Sequence, residues 1–210
     1  MATKEAAQWR SPVNTNVLAG GALVTIGILA VLLVWLGPDE KTLGSGIKAV
    51  YVHVSLTWAG LLGFVTAALI GLAQLITRGQ SLNGWRRTVG WVAFGFYVAG
   101  VAASALASQL NWGAVFWQEP RMVTSLNMLA VALIVQVAQS YFPRWWLQAA
   151  LSVLLPVLIF WANLSAPLVL HPDNAVRNST ATGIQLTFLG MMALMAAAEG
   201  IVVVAVKRDA

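Results

Sequence analysis

Six apolar runs set the terms on which this 210-residue chain can fold: Val17 to Leu36, Ala49 to Ile76, Thr88 to Leu110, Met122 to Phe142, Trp146 to Leu170 and Ile184 to Val206. An α-helix rises about 1.5 Å per residue, so about 20 residues cross a hydrocarbon layer about 30 Å thick. Every run is at least that long, and Glu199 is the one charged side chain they contain. A soluble core of this size cannot bury a chain that is 59% hydrophobic and 9% charged. The expected fold is therefore all-α: a polytopic membrane protein with six transmembrane helices at these bounds. Residues 1–210 form a single integral membrane domain, because the linkers are too short for a soluble one.

The basic residues give an orientation. With the N-terminus inside, inner segments hold Lys4, Arg10, Arg78, Arg86, Arg87, Arg144, Lys207 and Arg208, and outer loops hold Lys41, Lys48, Arg121 and Arg177. Both termini are expected to be cytoplasmic, in a prokaryotic-type inner membrane. The outer cations are matched by Asp39, Glu40, Glu119 and Asp173, so the net charge of +5 reflects topology and carries no nucleic-acid signal. The N-terminal tail contains an acid, and no small-residue cleavage pattern closes the first run, so that run is expected to stay as a helix. With no cysteine, disulfides, thiolate metal sites and covalent CxxCH haem attachment are excluded within this sequence. Walker, HExxH, GxSxG and paired-carboxylate patterns are absent too.

Three unusual features converge on the outer side. His53 lies about one turn inside helix two, His171 closes helix five, and "NWGAVFWQEPRM", Asn111 to Met122, joins helices three and four. A single interfacial histidine is as readily an amphipathic side chain with a wet tip. Two histidines on separate helices at matching depth fit the two axial positions of a haem iron. Ala49, Thr57 and Gly60 share the face of His53, and such small groups admit either a flat macrocycle or a neighbouring helix. Many of the ten tryptophans belong to interfacial belts, but Trp112 and Trp117 share their loop with Gly113, Glu119 and Arg121, and Trp58 and Trp161 sit deeper. Indole faces can stack on a porphyrin, and Arg121 and Arg177 can pair with its propionates; Arg121 can equally pair with Glu119 or a lipid phosphate. Glu199, about two turns from the inner end of helix six, should be protonated, snorkelled or paired with Arg86 or Arg87, in a packing or partner-helix role.

The pattern "YVHV" at an outer helix end, "WGAVFWQEPR" in an outer loop and a second outer histidine closing a later helix resembles the haem-handling proteins of cytochrome c maturation, the CcmC/CcsA family. The resemblance spans helix two to His171, and the six-helix length is nearer the CcmC branch. Trp112 and Gly113 match the opening of the family's WGxxWxWD segment, Glu119 stands where its acid is expected, and Arg121 follows. Trp117 is displaced by one position, Gln118 stands at the last tryptophan, and Ser55 replaces a proline that often follows the first histidine.

The resemblance implies non-covalent haem b, held by His53 and His171 on a platform that includes Trp58, Trp112, Gly113, Trp117, Glu119, Arg121 and Arg177. It implies display of haem at the outer face for transfer to a periplasmic haem chaperone or other acceptor, by ligand exchange and not by bond-making catalysis. The implied partners are subunits of an ABC-type exporter, a small single-helix membrane protein, that chaperone and the lipid membrane. Two other classes stay open. One is a b-type cytochrome subunit with one bis-histidine haem; the other is a structural or transport subunit without haem.

Overall fold

The computed structural model describes residues 15–167, 169 and 180–209. Six helices run through them: α1 Thr15–Leu36, α2 Ile47–Thr77, α3 Asn83–Trp112, α4 Pro120–Tyr141, α5 Trp145–Ser165 and α6 Thr182–Asp209. All six are long and apolar enough to cross a membrane. The all-α, six-span class expected from the apolar runs is therefore the observed one. Two bounds differ. α3 begins at Asn83, ahead of the apolar run, and α5 stops at Ser165, short of Leu170. Pro167 accounts for the second, because its ring disfavours helical backbone at the residue before it, and Ala166 is extended at φ −72°, ψ 128°.

α2 is the hub. It packs most closely on α3 and also touches α5, α6 and α1. Small residues make the α2–α3 approach close: a Cβ on Gly60 would stand 2.6 Å from the Tyr97 backbone nitrogen, and one on Gly100 equally close to that of Thr57. Between lipid-embedded helices such contact replaces the hydrophobic drive that water supplies elsewhere. Farther along, Phe64 and Tyr97 meet edge to face at 6.0 Å. Tyr51 of α2 meets Phe188 of α6 at 4.7 Å and donates its hydroxyl to the Pro38 carbonyl at 2.9 Å. α1 is peripheral, packing mainly on α6, with Val24, Ile28, Val31 and Leu32 left on the surface as a lipid-facing helix requires.

Near the other end of the bundle, Arg86 is fully buried and joins four helices. Its Nε donates to Gln74 Oε1 of α2 at 2.9 Å, and Nη1 donates to Gln139 Oε1 of α4 and, at 2.7 Å, to Ser152 Oγ of α5. Nη1 and Nη2 also reach the Gln148 carbonyl and side-chain oxygens, both at 2.9 Å, and Nη2 reaches Asn83 Oδ1 of its own helix at 2.6 Å. A guanidinium offers five N–H donors in a fixed fork, and here neutral oxygens receive them. Of the three alternatives for Glu199, the pairing with Arg86 or Arg87 is not formed among the described residues. Arg86 turns toward α2, α4 and α5, whereas the Glu199 carboxylate is buried against Gly63 of α2, and its Oε1 has no hydrogen-bond partner among the described residues.

Candidate functional site

Alternating helix direction brings the start of α2, the α3–α4 connection, the end of α5 and the start of α6 to one end of the bundle. His53 lies in the second turn of α2, half-buried, with Nδ1 3.4 Å from the Ala49 carbonyl, long for an N–H···O bond. The α2–α3 register is antiparallel, pairing Gly60 with Tyr97, Thr57 with Gly100, and Gly46 with Asn111, whose Nδ2 donates to the Gly46 carbonyl at 3.1 Å. Position 53 therefore stands opposite position 104. The small residues on the His53 face are thus largely taken by a helix: Gly60 and Thr57 pack on the α3 backbone, which is the helix-packing alternative of the two open for them.

The tryptophan loop is built from one helix stop and one helix start. Gly113 caps α3 in the left-handed region, at φ 75°, which a side chain would strain, and its N–H reaches the Gln109 carbonyl at 3.0 Å. Glu119 caps α4: its carboxylate accepts the Met122 N–H at 2.8 Å, with Pro120 in the first turn. Between them Trp112, Phe116 and Trp117 are exposed, Trp112 and Phe116 meeting edge to face at 6.5 Å. Arg121 is half-buried, and its Nε–H is shut away from solvent with no acceptor among the described residues. An unpaired buried donor is costly, so a guanidinium placed this way is suited to receive an anionic ligand group.

Trp58 lies five positions beyond His53, about 140° around the helix. It is exposed on the α5 side, 6.3 Å from Phe160. The α2–α5 contacts are also antiparallel: Trp58 meets Phe160, and a Cβ on Gly71 would stand 2.9 Å from the Ala149 carbonyl oxygen, so the end of α5 comes to the level of His53. His171 and Arg177, the expected second ligand and second propionate partner, lie outside the described residues. The described residues hold no cluster of three or more His, Cys, Asp or Glu arranged for a metal ion. A haem needs no such cluster, since the porphyrin supplies four of the iron's ligands.

Two further side chains shape this end of the bundle. Glu40 organises the α1–α2 turn, its carboxylate accepting the Leu43 and Thr42 amides at 2.9 and 2.7 Å; these bonds hold its pKa below the usual carboxylate value. Asn111, buried at Oδ1 without a partner, ties α3 to Gly46 through Nδ2. Local pattern could have shown Glu40 as a turn residue, but nothing near Asn111 in the sequence announces a contact with Gly46.

Fold and site together define a six-helix, multi-pass membrane protein with an aromatic, partly basic surface at one end of its bundle. No protein-family model and no curated protein matches the chain.

Proposed function

We propose that this protein handles haem at the outer face of a prokaryotic-type inner membrane. In this reading both termini are cytoplasmic, and haem b is shown to an acceptor without being covalently attached. One observation carries the reading: the buried, acceptor-less Nε–H of Arg121 lies at the same end of the bundle as the half-buried His53 imidazole and the exposed indoles of Trp112 and Trp117. These are the donor types a haem requires: an axial nitrogen, a cation for a propionate and flat apolar faces.

Each residue takes a role in this reading. His53 supplies one axial nitrogen from the rigid α2, and His171 is assigned the other. Trp112 and Trp117 offer apolar faces, and Arg121, with Arg177, holds the carboxylates. Gly113 and Glu119 act as positioning residues, fixing the ends of α3 and α4 between which the indoles are presented. Trp58, exposed on the α5 side, lines the flank of the same site. Bound haem supplies an iron whose axial ligands can be exchanged one at a time, and a site at the surface leaves room for an acceptor's ligand to enter. The partners that suit such a role are ABC-type exporter subunits, a small single-helix membrane protein and a periplasmic haem chaperone.

The test is the visible spectrum of detergent-purified protein, oxidised and reduced, before and after added haemin, for the parent and for His53→Ala and His171→Ala. A Soret band that weakens or shifts in both variants supports the site. No specific band in the parent, or variants identical to it, overturns the reading. Haem that resists extraction by an apo-haem-binding protein would instead point to a b-type cytochrome subunit.

A further inference from the structure

At the opposite end of the bundle, where α3 begins and α6 finishes, a groove of about 600 Å³ separates the two helices. Its walls are Trp91, Val92 and Val206, and Arg87 and Lys207 stand at its head. Lys207 is half-buried, its Nζ 6.0 Å from the centre of the Trp85 ring and 3.5 Å from where a Cβ on Gly84 would lie. Its ammonium is thus held beside α3. Arg87 is exposed, while the adjacent Arg86 is consumed by its amide cage on the other side of the helix.

No described acidic side chain lies at this end to neutralise the pair. The acids with described side chains are Asp39, Glu40 and Glu119 at the far end and Glu199 deep in α6. The same end carries Arg78, Arg144 and Arg208, against Asp209 at the close of α6, so cations outnumber acids there. Beyond the cations the groove is walled by Trp91, Val92 and Val206 and follows α3 and α6, both long and apolar enough to cross a membrane, and the Trp91 indole favours the headgroup level.

We propose that this groove binds an anionic phospholipid, its phosphate between Arg87 and Lys207 and an acyl chain along Val92 and Val206. Charge complementarity identifies the headgroup, and the apolar walls in line with the bilayer identify a lipid rather than a soluble phosphate. The site does not depend on the haem reading and lies at the other end of the molecule. Each cation near a membrane surface contributes about 1 kcal/mol toward an anionic lipid, about fivefold in affinity, so the pair gives a preference of about 25-fold.

Native mass spectrometry of the detergent-purified full chain tests this. The probes are dioleoyl-phosphatidylglycerol, dioleoyl-phosphatidylcholine and inorganic phosphate, applied to the parent, an Arg87→Gln/Lys207→Gln double variant and Arg208→Gln. Arg208 serves as control because it lines a separate groove between α1 and α6. The parent should retain phosphatidylglycerol about 25-fold better than phosphatidylcholine, the double variant should lose that preference, and Arg208→Gln should keep most of it. Equal retention of both lipids, an equal loss in Arg208→Gln, or displacement by phosphate at the lipid's own concentration overturns the site. Should the double variant not fold, Lys207→Gln and the salt dependence of the parent's preference decide: a preference unchanged in both overturns the proposal.

Discussion

Glu119 Oε2 accepts the Met122 backbone N–H at 2.8 Å, so the acid of the tryptophan loop closes the first turn of α4. An N-cap acceptor is replaceable by another short acceptor but not by alanine. Glu119→Ala should lower stability by about 1 kcal/mol, and Glu119→Asn should recover most of that, as read from thermal unfolding in detergent. An Asn variant that unfolds as early as the Ala variant would show that the side chain acts through its charge.

The Arg121 guanidinium should matter to a ligand through the ligand's carboxylates. Arg121→Gln is expected to weaken haemin binding by about tenfold, the loss of roughly one charge-assisted hydrogen bond. Titration with haemin dimethyl ester, which lacks the free carboxylates, should show no difference between variant and parent. An equal loss with the ester would mean that Arg121 supports the fold of the loop and does not meet a propionate.

How far the sequence reveals this architecture depends on the range of each interaction. The six spans are legible because lipid imposes one condition on every crossing segment, and that condition is local. Gly113 and Glu119 are legible as stop and start signals on either side of an aromatic loop, although the motif reading gives the same residues to a cofactor. The start of α3 is not legible. Residues 83–87 read as a polar linker because the oxygens that bury Arg86 come from Gln74, Gln139, Gln148 and Ser152, on three other helices. Pairing of Glu199 with Arg86 fails for the same reason, since helical depth brings the two within plausible range but does not tell which face each presents. His53 is legible as an end-of-helix histidine, but its opposition to position 104 follows only from the α2–α3 register.

The Arg86 cage predicts strong coupling. Arg86→Leu strands polar oxygens on α2, α4 and α5, and Gln139→Leu deprives Nη1 of an acceptor, so each should destabilise the protein by about 1–3 kcal/mol or more. Because both disrupt one network, the double variant should lose less than the sum of the two by about 0.5–3 kcal/mol. A double-mutant cycle measured by unfolding in mixed detergent micelles checks this; additive losses would mean that the two side chains do not share a network.

Gly63 and Glu199 give the sharpest test of packing. A Cβ on Gly63 would run into the Glu199 carboxylate and would lie 2.6 Å from the Ala93 Cβ, so Gly63→Ala overpacks the junction of α2, α3 and α6 and should cost about 1–3 kcal/mol. Glu199→Ala removes one of the two obstructions, and the Gly63→Ala/Glu199→Ala pair should therefore recover part of the loss; adding Ala93→Gly removes the second and should recover more. Glu199→Gln separates packing from charge. Among the described residues Oε1 of Glu199 has no hydrogen-bond partner and no cation pairs with the carboxylate, so no described cation is stranded when the group is made neutral. Stability of Glu199→Gln at pH 7 should match or exceed that of the parent, because a carboxylate in hydrocarbon is costlier than an amide of the same shape. If Gln destabilises as much as Ala, the carboxylate has a cationic partner when the protein is in its membrane, and α6 is held to the bundle by charge as well as by the fit of Gly63 to its face.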